Sequence, residues 1–182
     1  MSDALPRAAP TPREYDIVTA GLHWTVVAIV LINIFSTPMG ETPLEHARAV
    51  EAHFTIGLLI LVLMCPRLLW RMSHPAPPYP DSVQPWEHKG AALVHWAFYI
   101  ALFAMGLVGT LQGAVAPYDV ELFGVWRMPF ADFQNEALYG LLTLAHEALN
   151  GIVLVLMVGH VAAALYHGIV KRDGVLRSML PW

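Results

Sequence analysis

Three stretches of the chain carry no Asp, Glu, Lys or Arg: residues 17–40, 90–118 and 148–170. Each exceeds the roughly 18 apolar residues that suggest a membrane-spanning helix. A fourth apolar run, 52–66, is shorter, but it continues through Leu68, Leu69 and Trp70 if Arg67 and Arg71 snorkel their charged ends to one interface. The pattern predicts four helices, at about 17–36, 49–71, 90–111 and 138–170. Buried helices of a water-soluble core are disfavoured, because such helices rarely stay uncharged on every face for this length. The expected fold class is all-α: an integral membrane four-helix bundle. Its expected parts are an N-terminal tail (1–16), a four-helix domain (17–171) and a C-terminal tail (172–182).

Lys and Arg are unevenly placed between the spans. Arg7, Arg13, Arg67, Arg71, Lys89, Lys171, Arg172 and Arg177 fall on one side, and only Arg48 and Arg127 on the other. By the positive-inside rule both termini and the 72–89 connection are expected in the cytoplasm, with 37–48 and 112–137 facing outward. The first span is not expected to be a cleavable signal peptide, since Asp3, Glu14 and Asp16 precede it and no Ala-x-Ala-like site follows. The run Ser73 to Pro80 is too proline-rich for helix and reads as a stiff extended connector. In the long outer segment, Asp119, Glu121, Asp132 and Glu136 against Arg127 mark a solvated, acidic face. No internal repeat is visible.

Composition narrows the chemistry. Of the 182 residues 57% are hydrophobic and 13% charged, with a net charge of −4, so no basic surface is available for nucleic acid. The single cysteine, Cys65, excludes an internal disulfide and reads as an ordinary buried thiol. Nine histidines make imidazole the main candidate metal ligand. His46, His74 and His88 fall in loops or at helix mouths, where a solvated ring needs no explanation.

The other six lie in the spans: His23, His53, His95, His146, His160 and His167. His146 and His160 are fourteen residues apart, only about 40° short of four helical turns, so they share a face about 21 Å apart along the axis. His167 continues the line about 20° off that face. Such an arrangement can be a proton relay, two hydrogen-bonded core histidines, or axial ligation of two haems stacked across a membrane. His53 stands at the level of His146, and His23 and His95 at about the level of His160, so each level has the pair that a six-coordinate haem needs. Gly57, Gly21, Gly151, Gly159, Gly106 and Gly109 give room for a flat ring or for close helix packing. Met64, Met105 and Met157 read as lipid-facing or packing residues, and Trp24 and Trp96 as an interfacial aromatic belt.

His23-Trp24, His53 with Gly57, His95 with Tyr99, and His146, His160 and His167 followed by Lys171-Arg172-Asp173-Gly174 and Met179-Leu180-Pro181 resemble the bacterial cytochrome b561 family over nearly the whole chain. The resemblance implies a multi-pass protein of the bacterial inner (plasma) membrane holding two b-type haems, one per leaflet, and exchanging electrons with ubiquinone near the cytoplasmic haem. Superoxide-oxidising members pass electrons from superoxide outside to quinone. Carried over by position, His53 and His146 would ligate the outer haem, and His23 and His160 the inner one. His95 and His167 would line the quinone pocket, with Arg71, Lys89 or Lys171 nearby. The fourteen-residue pair on helix 4 fits two haems within the membrane better than His146 with His167, about 31 Å apart. His95 in place of His23 stays open as the inner ligand. The expected function is therefore electron transfer across the membrane to or from ubiquinone, with superoxide as one donor. A quinol-oxidising module serving a periplasmic redox protein is the alternative, and a haem-free proton or solute transporter a third. The N-terminus and the outer loop depart from the superoxide-oxidising relative, and these are the regions a donor would meet.

Overall fold

The computed structural model describes residues 14–36, 42–117, 119–123, 125–127 and 134–180. Asp3, Arg7, Arg13, Asp132 and Pro181, named above, lie outside them. Four helices are formed: α1 (Ile17–Phe35), α2 (Pro43–Ser73), α3 (Pro85–Ala114) and α4 (Glu136–Leu165). α4 runs on as a π-helical turn (Tyr166–Lys171), and a short 3-10 turn (Arg177–Met179) follows. All four helices are long and apolar enough to cross a membrane, with mean hydropathy of 1.9 to 2.1 in their best windows. Large apolar side chains such as Leu69, Leu93, Ile100, Val155 and Val158 point outward. No polar or charged residue among those described is fully buried, so the apolar exterior is the bilayer-facing surface of a membrane bundle.

Two helices begin earlier than the charge pattern predicts, and for one reason. At α2 the Thr42 hydroxyl accepts from the Glu45 N–H (3.3 Å) while the Glu45 carboxylate accepts from the Thr42 N–H (3.0 Å), with Pro43 in the first turn. This capping box satisfies two otherwise orphaned donors and starts the helix at 43 rather than 49. At α3 the Glu87 carboxylate accepts from the Gln84 N–H at 2.6 Å, again with a proline in the first turn, so the start is 85 rather than 90. α1 is capped by Asp16, which accepts from the Thr19 N–H at 2.9 Å. Charged residues in these first turns end the apolar run but not the helix.

Consecutive helices pack in series, α1 on α2, α2 on α3 and α3 on α4. Their shared core is Val26, Ile60 and Met64, surrounded by Ile29, Leu102 and Phe103 among others. α1 and α4 bring His23 and His160 together, with ring centroids 6.3 Å apart. Cys65 is exposed on the outer side of α2 rather than buried, with its thiol donating to the Leu61 carbonyl at 3.7 Å. Being next to the wholly enclosed Met64, it lies about 100° further round the helix, off the packed face.

The C-terminal segment turns back beneath the bundle. Arg172 and Gly174 both have positive φ (52° and 86°), a conformation glycine adopts freely, and together they reverse the chain. The tail is then held at α1: the Tyr15 N–H donates to the Ser178 carbonyl (3.1 Å) and the Trp24 indole N–H to the Met179 carbonyl (2.9 Å). Trp24 thus tethers the tail, beyond the interfacial role expected of it. In the 112–137 connection a two-residue antiparallel ladder forms, β1 (Glu121–Leu122) with β2 (Trp126–Arg127). The Phe123 N–H donates to Thr55 Oγ1 at 3.2 Å, which moors this loop on α2.

Candidate functional site

The loop end and the terminal end of the bundle each collect imidazoles. At the loop end His53 and His146 stand with ring centroids 6.0 Å apart. At the terminal end His160 lies 6.3 Å from His23 and 5.5 Å from His95. Two imidazoles bound to one metal from opposite sides, at about 2 Å per nitrogen, put their ring centroids about 6 Å apart. The His53–His146 and His23–His160 pairs match that span, and the shorter His95–His160 contact is a little tight for it. Among the described residues no three His, Cys, Asp or Glu side chains converge on one point, so a bare ion would lack ligands. A haem brings its own four ring nitrogens and needs only the pair.

The surroundings of the rings agree with this use. The His53 Nδ1–H donates to the Asn33 carbonyl at 3.2 Å, which leaves Nε2 as the nitrogen that could ligate. His146 is set against Gly109, where a Cβ would stand 3.4 Å from its ring, and its Nδ1 is buried without a partner. His23 differs. Its Nδ1 sits 3.0 Å from Nη2 of Arg67, and since a guanidinium only donates, this nitrogen accepts. The predicted snorkelling of Arg67 is therefore corrected: its head turns inward to His23, because the imidazole offers an acceptor that the apolar exterior does not.

The residues predicted for a quinone pocket are only partly brought together. His167 and Lys171 meet at the terminal end, around Glu87 of α3 and Asp173 of the tail. The His167 Nδ1–H donates to Asp173 Oδ2 at 2.6 Å, and Nε2 faces Glu87 Oε1 at 3.9 Å. Lys171 Nζ donates to both Glu87 carboxylate oxygens (2.9 and 2.8 Å) and to the Ser82 carbonyl (3.1 Å). Burial would raise the Asp173 carboxyl, but hydrogen bonds from His167 and the Val175 N–H, with the Lys171 charge, hold it below the usual carboxylate range. His95 packs on His160 instead of joining this network, Arg71 faces Tyr15, and Lys89 is exposed near the start of α3. Burial pushes the Tyr15 hydroxyl up, with Tyr79 adding to the effect and Arg71 opposing it.

α-Helical geometry stops at Leu165, and His167 lies in the π-helical turn that follows, so the 100° step holds only up to that point. Asp173 holds its ring through Nδ1. His74 and His88 are held, not free: His74 stacks on Trp70 at 3.8 Å and His88 on Tyr79 at 4.2 Å. Sequence reasoning missed Asn33, Arg67, Glu87 and Asp173 as parts of the site. The signals were the fourteen-residue step from His53 to Arg67 and the Asp-Gly pair after Lys171-Arg172.

Comparisons with known proteins bear on what these pairs hold. The family model described as prokaryotic cytochrome b561 matches residues 14–182. "Cytochrome b561 homolog 2" of Escherichia coli (strain K12) is 30% identical over 175 residues, covering 93% of each chain. "Probable superoxide oxidase CybB" of Yersinia pestis is 29% identical over 171 residues, 93% of this chain and 97% of its own length. "Cytochrome b561 homolog 1" of Escherichia coli (strain K12) is 28% identical over 166 residues, 88% of this chain and 93% of its own.

Proposed function

Since the chain belongs to the prokaryotic cytochrome b561 family, and is a b-type cytochrome of electron transfer in the bacterial inner membrane, we propose that it holds two haems and links the outer face to ubiquinone. The observation that carries this reading is the stacking of two imidazole pairs, 6.0 and 6.3 Å apart, at the two levels marked by His146 and His160 on one face of α4. His53 and His146 hold the haem at the loop end, and His23 and His160 the one at the terminal end. When bound, each haem supplies one-electron iron chemistry.

By the positive-inside rule the arginine and lysine distribution supports termini in the cytoplasm and a loop end in the periplasm. At the loop end a cavity of about 380 Å³ opens, lined by Arg48, Glu51, Ala52, Thr55, Ile56 and Phe123. Arg48 is its one cation, the group that a small anion such as superoxide would approach, and Glu51 in the same lining offsets its charge. The "superoxide oxidase" in the printed name of the Yersinia pestis relative supports the same donor. At the terminal end His167, oriented by Asp173 through Nδ1, presents Nε2 as the proton-carrying atom for ubiquinone, while Lys171 and Glu87 fix the side of the pocket. The reaction then balances as two superoxide anions, one ubiquinone and two protons giving two O₂ and one ubiquinol. A second reading rests on Asp119, Glu121 and Glu136 at the loop end, an acidic edge suited to a basic periplasmic redox protein fed by quinol.

Stopped-flow spectrophotometry of the purified protein tests the choice. Haem reduction by superoxide faster than by reduced ubiquinone, followed by reoxidation on adding ubiquinone, is the expected result. Reduction by quinol alone would overturn the superoxide reading and leave the second. The family assignment leaves no place for the haem-free transporter.

A further inference from the structure

α2 repeats the spacing that α4 uses for its two histidines. Arg67 follows His53 by fourteen residues, so one line along α2 carries an imidazole at the loop-end level and a guanidinium about 21 Å further, at the level of His23 and His160. The guanidinium is poorly matched there. Nη1 is buried without a hydrogen-bond partner, Nη2 rests on the neutral His23 Nδ1, and the remaining neighbour is Tyr99, whose hydroxyl interacts with the guanidinium and whose ring centroid stands 6.0 Å from Cζ; both partners are neutral. The ion pairs among the described residues are His167–Asp173, His167–Glu87 and Lys171–Glu87, none of which reaches it. An arginine is charged at every pH a protein meets, and a charge at this depth calls for a counter-anion.

Ligation of a metal by His23 would remove its bond to Arg67. A metal at His23 Nε2 requires the proton on Nδ1, which then donates instead of accepting, and a guanidinium has only donors. Ligation by His23 thus leaves Arg67 with the neutral Tyr99 hydroxyl alone, just as a group with two carboxylates arrives. A lipid phosphate is a weaker candidate: Trp70, a turn nearer the terminal end, already lies beside Asp16 and Thr19 at the start of α1, and Arg71 beyond it would meet a headgroup first.

We propose that Arg67 is a haem-binding residue, its guanidinium taking a propionate carboxylate of the haem at the His160 level. The proposal rests on the two-haem reading above. Its test uses the purified full-length holoprotein with the haem propionates labelled by ¹³C-aminolevulinate, and compares parent, Arg67→Lys, Arg67→Gln and Arg71→Gln by redox-difference infrared spectroscopy and redox titration. Both Arg67 variants should shift the labelled carboxylate band. Arg67→Gln should also lower the midpoint potential of the terminal-end haem alone, because a lost cation favours the oxidised iron, and Arg67→Lys should restore most of that potential. Arg71→Gln should leave the labelled band in place. If Arg67→Gln loses haem on purification, Arg67→Lys still decides: an unshifted labelled band in a variant with two haems overturns the proposal, and a shift confined to Arg71→Gln assigns the carboxylate to that residue instead. A parent protein with one haem per chain would overturn the two-haem reading rather than the role of Arg67.

Discussion

Asp173→Ala removes the acceptor that aims His167. The hydrogen bond is short, 2.6 Å, and runs between side chains that are 12% and 2% exposed, with an ionised acceptor. A charge-assisted bond in such surroundings contributes about 1.5–3 kcal/mol. Ala also strands the Val175 N–H, which donates to Asp173 Oδ1 at 3.2 Å and costs about 1 kcal/mol more. The ordered arrangement of His167 and tail should therefore weaken by about 2.5–4 kcal/mol, and since about 1.4 kcal/mol is a factor of ten, the aimed His167 becomes at least about tenfold rarer. Asp173→Asn keeps an amide oxygen for one of the two donors and loses mainly the charge, so its effect should be several-fold smaller. The assay is stopped-flow oxidation of the prereduced protein by a water-soluble ubiquinone analogue. We expect slowing of about tenfold or more for Ala, less for Asn, and unchanged haem spectra in both. Oxidation of Asp173→Ala within twofold of the parent rate, with both haems present, would refute the orienting role.

Replacing His146 should remove the loop-end haem and spare the other, and replacing His160 should do the reverse, read by pyridine haemochrome content falling from two per chain to one; one haem in the parent protein defeats the assignment. His23→Ala should lose the terminal-end haem, whereas His95→Ala should retain it and impair quinone exchange; the opposite pattern would exchange their roles and leave Arg67 bonded to His23. Acid should release the tail late: a carboxyl held below its ordinary value of 3.8 stabilises the docked state at all pH above that value and loses its contribution as pH falls through the lower, folded value. Trp24 fluorescence, which reports the Met179 tether, should thus stay flat from about pH 7 to about pH 4 and change only below, whereas a transition near neutrality would assign the docking to another group.

The four spans and the histidine levels were legible in the sequence because both depend on local rules. A helix crossing hydrocarbon must be apolar on all faces for its full length, and the 100° step of an α-helix alone places His146 and His160 on one side of α4. The helix starts at Pro43 and Pro85 were also written locally, in Thr42–Glu45 and Gln84–Glu87, although charge counting passes over them. What only the tertiary structure decided are relations between segments distant along the chain. Asp173 reaches His167 because two residues with positive φ reverse the tail; Lys171 reaches Glu87 across eighty-four positions; and Arg67 turns inward because α1 brings an acceptor, His23, to its side. A spacing rule knows the phase of a residue on its own helix. It does not know which helix stands opposite, and for a charged group in an apolar medium the partner opposite sets the direction of the side chain.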